Sequence, residues 1–275
     1  MALVQLDFER QYLNSNTTVG IILPDRPREV DAASFYGSGG KYRVLWLLHG
    51  TYGDWSDWVR KSMIELYASE LDLICVMPSA LNSDYASWPS FALGYDMASH
   101  LVKELMPLVQ NWFPASSRRE DNFIAGLSMG GLGALSYILR YPELFSSGAI
   151  LSACPARADS WDWDGSHSER RNSVCNGRFV NQVANAGGKD AYIKENDLYS
   201  MIFRMAQDGT LPPLFLECGT DDAIFYDDFR ALHDEAGKKD LPIVFREREG
   251  YGHEWRLWDL AIQDALAFFG LQSKK

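Results

Sequence analysis

Phe123-Ile124-Ala125-Gly126-Leu127-Ser128-Met129-Gly130-Gly131-Leu132-Gly133-Ala134 joins a short apolar run to a helix-like run through a serine boxed in by glycines. In Gly126-x-Ser128-x-Gly130 the serine stands where a strand turns sharply into a helix. That backbone is strained and leaves no room for side chains two residues to either side, so those positions favour glycine. The turn lifts the hydroxyl above the sheet. The following helix, Met129 to about Arg140, aims its N-terminal N–H groups and positive dipole end at the same point, where an oxyanion would be stabilised. Tyr141-Pro142 closes it, because proline cannot continue a helix. Glycine and serine also meet in turns without chemistry, so the surroundings of the motif decide its meaning.

Those surroundings alternate between strand-like and helix-like runs. Upstream, residues 3–9 and 17–23 alternate polar and apolar like two antiparallel strands, and Pro24 to Gly40 reads as a surface connection. Val44 to Leu48 and Leu73 to Pro78 are continuous apolar runs, the signature of strands covered on both faces. Ser62-x-x-Glu65 has the form of a capping box for a helix through about Glu70, and Asn82 to Phe91 is a polar and aromatic loop. Apolar residues at helical spacing from about Tyr95 to Trp112 predict a helix kinked at Pro107. Downstream come a strand at 148–151, a stretch at 154–196 without clear period, a helix near 198–207 and a strand at 214–218. A helix near 224–237, a strand at 243–246 and a helix near 254–269 complete the chain. The alternation predicts one α/β domain over 1–275, an open, mostly parallel sheet with helices on both faces, and a cap or insertion at about 154–196.

The 275 residues carry a net charge of −11 and no Lys/Arg run, which excludes nucleic acid as a partner. No stretch is long and apolar enough to span a membrane, and the N-terminus shows no secretory signal. Cys75, Cys154, Cys175 and Cys218 form no C-x-x-C pair, and Cys75 and Cys218 fall in strand-like runs as buried free thiols. A reducing, cytoplasmic setting is expected, with a homo-oligomer left open.

A serine hydroxyl needs a base to take its proton, and that base needs a carboxylate to fix its tautomer. Of five histidines, His49 belongs to a turn after a strand and reads as structural. His100 and His233 fall in helices, and His167 lies in the irregular stretch. His253 sits in Glu249-Gly250-Tyr251-Gly252-His253-Glu254-Trp255, just past the last strand, where open α/β sheets place their sites. The acid is expected past the preceding strand, in Gly219-Thr220-Asp221-Asp222, where either aspartate fits. Serine, acid, histidine is the chain order of the α/β-hydrolase fold. His49-Gly50-Thr51 ends an earlier strand, so the Thr51 and Met129 N–H groups are the candidate oxyanion donors.

Leu47-Leu48-His49-Gly50, Gly126-Leu127-Ser128-Met129-Gly130-Gly131, Gly219-x-x-Asp222 and Gly252-His253-Glu254-Trp255 together resemble the esterase D-like branch of the α/β-hydrolases. That branch includes tributyrin, feruloyl and acetylxylan esterases, S-formylglutathione hydrolases and mycolyltransferases. The likeness runs from about residue 40 to 270 and is greatest to the tributyrin-esterase type, with its His-Glu-Trp ending. It implies an acid three positions after the glycine, hence Asp222 rather than Asp221. It implies a serine carboxylesterase acting through an acyl-enzyme on a small-molecule or carbohydrate-linked ester, without metal or cofactor. Residues 154–196 match no family pattern.

Rival readings are a thioester hydrolase, an acyltransferase and a non-catalytic binding member of the superfamily. A zinc hydrolase would need a second histidine at position 257, which is Leu257, and the third glycine of a dinucleotide fingerprint is missing after Gly131-Leu132-Gly133. Trp55, Trp58, Trp88, Trp161 and Trp163 read first as packing and second as a stacking surface for a sugar or phenolic ring, and Asp162 and Asp164 as a solvated loop face.

Overall fold

Continuous apolar runs become the inner strands of a sheet because only strands covered on both faces can bury every residue. In the computed structural model, which describes residues 2–161 and 173–271, eight strands form one sheet. They are β1 (Ala2–Arg10), β2 (Ser15–Leu23), β3 (Arg43–Leu48), β4 (Leu73–Pro78), β5 (Asn122–Leu127), β6 (Ser147–Leu151), β7 (Leu214–Gly219) and β8 (Ile243–Arg248). Their spatial order is β1-β2-β4-β3-β5-β6-β7-β8. β4 to β7 are buried along their whole length, whereas the edge strands β1 and β8 are largely half-buried or exposed. β1 pairs antiparallel with β2 and β2 with β4, and all other pairings are parallel.

Alternate residues of β3 feed two cores. Val44, Trp46 and Leu48 pack on one face with α5 (Met129–Arg140), α8 (Leu198–Gln207) and α9 (Tyr226–Lys238). Leu45 and Leu47 pack on the other with α2 (Asp57–Lys61), α3 (Ile64–Glu70) and α10 (Trp255–Phe268). The chain runs from β3 outward to β4, then returns to place β5 on β3's other side. The carboxyl ends of β3 and β5 therefore flank a topological switch point, where open α/β sheets form a crevice.

Four local expectations need correction. The connection at 24–40 holds a short helix, α1 (Ala32–Gly37), capped by the Asp31 carboxylate. The capping box at Ser62 does not form: Met63 N–H donates to Asp259 on α10, and the Ser62 hydroxyl donates to Trp58 O. The helix ahead of Pro107 is not uniformly α. A single turn at Met97–Ser99 passes into a π-helical stretch, His100–Leu105, before α4 (Met106–Trp112), so the backbone widens just before the proline. Within 154–196 the described residues 154–161 hold only a 3-10 turn at Ala158–Ser160, but 173–196 are largely helical, forming α6 (Ser173–Asn185) and α7 (Lys189–Asn196). His167, Trp163, Asp162 and Asp164 lie outside the described residues.

Candidate active site

Ser128 follows β5 with φ +53° and ψ −121°, a shape that non-glycine residues rarely adopt. The glycines around it are required by backbone rather than by side chains. A Cβ on Gly126 would fall on the Gly130 carbonyl, and one on Gly130 would lie 2.5 Å from His49 O and 2.6 Å from Leu48 O. Ser128 N–H is taken up by Leu151 O at 2.9 Å, and the first bonds of α5 run from Gly131 and Leu132 N–H to Ser128 O. Met129 N–H thus precedes the first helical hydrogen bond, among the amides a helix N-terminus leaves over.

His253 and Asp222 come from the loops after β8 and β7, which are sewn together: Thr220 N–H donates to Arg248 O at 3.1 Å and Asp221 N–H to Tyr251 O at 2.9 Å. A Cβ on Gly219 would fall on Tyr251 O, so only glycine lets these loops approach. His253 Nδ1 lies 2.8 Å from Asp222 Oδ2 and His253 Nε2 lies 2.9 Å from Ser128 Oγ. An ionised carboxylate only accepts, so Nδ1 donates to Asp222 and Nε2 of the neutral ring accepts the Ser128 O–H. Of the two candidate aspartates the structure brings Asp222 to the imidazole. Asp221 is exposed, and its carboxylate accepts from the Thr220 hydroxyl.

Asp222 is 1% exposed, and its Oδ1 accepts N–H groups of Ile224 and Phe225 at 3.0 and 3.1 Å. Burial alone would raise its pKa. The hydrogen bond and charge of His253 and the two backbone donors outweigh that and hold it below the usual carboxylate value. The Cys218 thiol, kept protonated by burial, lies 3.8 Å from Asp222 Oδ2. The imidazole is packed by Phe225 at 5.8 Å and edge to face by Trp258 at 5.0 Å, and Trp258 Nε1 donates to Ser152 Oγ.

Across the switch point, Gly53 N–H donates to Gly50 O and closes a turn around Thr51 and Tyr52. Tyr52 has φ +65°, the sign a type II turn requires at its third position. His49 anchors this turn from below. It is 1% exposed, its Nδ1 donates to Gly50 O at 2.7 Å, and its Nε2 accepts Ala80 N–H at 2.9 Å. Burial lowers its pKa, so it stays neutral and structural, as its place in the sequence suggests.

Thr51, Ser128, Met129 and His253 share one cleft of about 1280 Å³. It runs beside α5 as far as Arg140 and is roofed by Trp161, Phe179 and Tyr192, whose rings meet edge to face at 5.5 to 5.8 Å. Of the other tryptophans weighed above, Trp58, Trp55 and Trp88 follow the packing reading: Trp58 is wholly buried, and Trp55 and Trp88 pack against the two cores. Arg178 and Asp84 also line the cleft, and no sequence motif marks either one. Among the described residues no His/Cys/Asp/Glu group could hold a metal ion, and no helix is long and apolar enough to cross a membrane.

The family model described as "Putative esterase" matches residues 11–269. An acetyl esterase of Caldicellulosiruptor saccharolyticus is 28% identical over 273 residues, covering 96% of this chain and 97% of that protein. An S-formylglutathione hydrolase of Staphylococcus aureus superposes with a TM-score of 0.76 at 27% identity, covering 98% of both chains. The fluorophosphonate-binding serine hydrolase F of the same organism gives 0.75 at 26%, again over 98% of both. A ferulic acid esterase gives 0.74 at 22% over 98% of this chain and 97% of that one, a likeness of fold alone.

Proposed function

The chain belongs to the Esterase family and has the α/β-hydrolase fold of a serine hydrolase acting on esters, and from that premise we propose which residues carry the reaction. Ser128 Oγ attacks the ester carbonyl while His253 Nε2 takes its proton. Asp222 fixes the imidazole tautomer and offsets the charge that forms, and the N–H groups of Thr51 and Met129 receive the oxyanion. His253 then returns the proton to the departing alcohol, leaving an acyl-enzyme that water clears through the same base. The observation that carries this reading is the unbroken chain from Asp222 through His253 to Ser128, at 2.8 and 2.9 Å, on a strained turn at a cleft wall.

The substrate reading is a short-chain acyl or aryl ester of neutral charge, tributyrin-like in its acyl part. Among the described residues the cleft presents three cations. Lys61 pairs with Asp57 at 2.9 Å, Arg178 pairs with Asp84 at 2.9 Å, and Arg140 donates to Glu195 O and Asn196 Oδ1. Their engagement favours neutral esters over the anionic thioester S-formylglutathione. The aromatic roof suits an aryl or sugar group, which keeps feruloyl and acetyl-carbohydrate esters as the second reading. Residues 154–196 act in this reading as a cap on a single domain, and the buried thiols of Cys75, Cys154 and Cys218 support a reducing, cytoplasmic setting.

Hydrolysis of p-nitrophenyl acetate and butyrate, methyl ferulate, acetylated xylan and S-formylglutathione by the wild type and by Ser128→Ala tests this. We expect the wild type to prefer the small neutral esters and the variant to be inactive on all. Equal rates in wild type and variant would remove Ser128 from the mechanism, and a preference for S-formylglutathione would overturn the substrate reading.

A further inference from the structure

The oxyanion turn is held from two sides, and only the lower one belongs to the hydrolase core. Below, Tyr52 N–H donates to Asn82 Oδ1 at 2.8 Å, over the buried His49. Above, both terminal nitrogens of Arg178, on α6, donate to Thr51 Oγ1 at 3.2 and 3.3 Å. One of them also lies 2.9 Å from Asp84 Oδ1. Gln182, four residues on and so on the same face of α6, donates to Asp84 Oδ2 at 2.9 Å. Asn185, three further, donates to Ser87 O at 3.2 Å. One stripe of α6 is thus fastened by polar contacts to Thr51 and to the 84–87 segment.

The segment that receives these contacts is itself strained. Leu81, Asp84 and Tyr85 have φ of +52°, +52° and +56°, and Tyr85 is held by donating its O–H to His49 O at 3.1 Å. Non-glycine residues persist in such shapes only where their surroundings impose them, commonly at functional sites. Here the result is an Asp84 carboxylate set to receive both Arg178 and Gln182.

We propose that Arg178 is a positioning residue: by gripping the Thr51 hydroxyl while Asp84 grips it, Arg178 sets the Thr51 turn, so that seating of α6 completes the oxyanion hole. The proposal rests on Thr51 N–H being an oxyanion donor. Both terminal nitrogens of Arg178 are committed to Thr51 and Asp84, which sets its role apart from capture of an anionic substrate. Its planar fork holds two acceptors in a fixed relative geometry, which an ammonium on a flexible stem does not impose. The Arg178 side chain is 13% exposed, so this grip is screened by solvent far less than a surface contact.

The experiment is steady-state hydrolysis of p-nitrophenyl acetate by Arg178→Ala, Thr51→Val and the double variant. Thr51→Val keeps the backbone N–H and removes only the acceptor that Arg178 grips. We expect each single variant to lose kcat by about 10- to 100-fold, the scale of a misplaced oxyanion donor, with KM within about threefold of wild type. Because both act through one contact, the double variant should lose no more than Arg178→Ala alone. Arg178→Lys should recover part of the loss.

A raised KM with wild-type kcat in Arg178→Ala, or losses that multiply in the double variant, would overturn the proposal. If Arg178→Ala does not fold, Thr51→Val and Arg178→Gln carry the same comparison, and wild-type kcat in both overturns it equally. Ser128→Ala in parallel separates the two levels. Its inactivity beside an unaffected Arg178→Ala would sink this proposal alone, and its retained activity would sink the hydrolase mechanism beneath it.

Discussion

Replacing Asp222 by asparagine should inactivate the protein while leaving its fold in place, because of which groups the new amide would meet. Asp222 Oδ1 accepts two backbone N–H groups, from Ile224 and Phe225, and Oδ2 faces His253 Nδ1. An asparagine keeps its oxygen on the two donors. The flipped orientation would set an NH₂ against two N–H groups and leave buried donors unpaired, at about 1–3 kcal/mol each. The amide NH₂ therefore faces Nδ1, which must become an acceptor, and the ring proton moves to Nε2, 2.9 Å from Ser128 Oγ. In that tautomer the imidazole cannot take the serine proton. The expected loss is about 10⁴ in kcat, or about 5.4 kcal/mol at 1.36 kcal/mol per decade. The assay is kcat on p-nitrophenyl acetate for Asp222→Asn and Asp221→Asn, with far-UV circular dichroism and thermal melting to confirm folding. Asp221 faces solvent and the Thr220 hydroxyl, so its variant should stay within about threefold of wild type. A folded Asp222→Asn within tenfold of wild type, or an equal loss in Asp221→Asn, would refute the reasoning.

Gly130→Ala drives a Cβ against two carbonyl oxygens of the β3 end, so we expect about 1–3 kcal/mol or more of destabilisation with loss of esterase activity. Urea unfolding with a midpoint like wild type would contradict that packing. His49 is kept neutral by burial, so its folded pKa lies below the ordinary value of about 6.5. The unfolded chain then binds a proton that the folded chain refuses, and the contribution of His49 is full above about pH 6.5 and declines as pH falls below it. His49→Gln should lose about 1–3 kcal/mol at pH 7.5 and show a shallower decline from pH 7 to 5, the remainder coming from His100, which burial shifts the same way. Denaturation midpoints at pH 5.5 and 7.5 measure both, and parallel declines would rule out the assignment. Trp161→Ala removes two edge-to-face contacts from the cleft roof, each worth about 0.5–1.5 kcal/mol. KM for methyl ferulate should rise by about tenfold, while p-nitrophenyl acetate is little affected, and an equal change for both esters would remove Trp161 from aryl recognition.

The parts of this molecule that were legible in the sequence are those in which burial or backbone strain dictates residue type. β4 to β7 are buried on both faces and therefore apolar but for Asn122, Ser147 and Glu217, which is why they stand out as apolar runs. Ser128 and its glycines were legible because a Cβ at Gly126 or Gly130 has nowhere to go. The acid was readable only as a pair, since Asp221 and Asp222 follow the same strand and differ in direction. Family likeness selected Asp222, and the structure adds the reason: its Oδ1 closes over Ile224 and Phe225 N–H and turns Oδ2 toward His253. The capping box at Ser62 failed because both of its halves are engaged elsewhere: Ser62 N–H donates to Trp58 O, and the Ser62 hydroxyl accepts from Ile64 N–H rather than from Glu65 N–H.

Residues 173–196 left no periodic signal for a related reason. α7 has no buried residue, and α6 is fastened by Arg178, Gln182 and Asn185 through polar contacts. A helix held in that way needs no apolar stripe, and hydrophobic periodicity cannot reveal it. Thr51 is 127 residues from Arg178, and no local rule links a threonine in a strand-end turn to an arginine in a polar helix. The elements that the sequence hides are thus the ones joined to the rest by side-chain hydrogen bonds and one local aromatic cluster rather than by burial in the core. Such contacts can be rebuilt with other polar residues at little cost to the core beneath, whereas the elbow and the sheet cannot. A fold divided in this way can keep the hydrogen-bonded chain of Asp222, His253 and Ser128 fixed while the side chains over the cleft change.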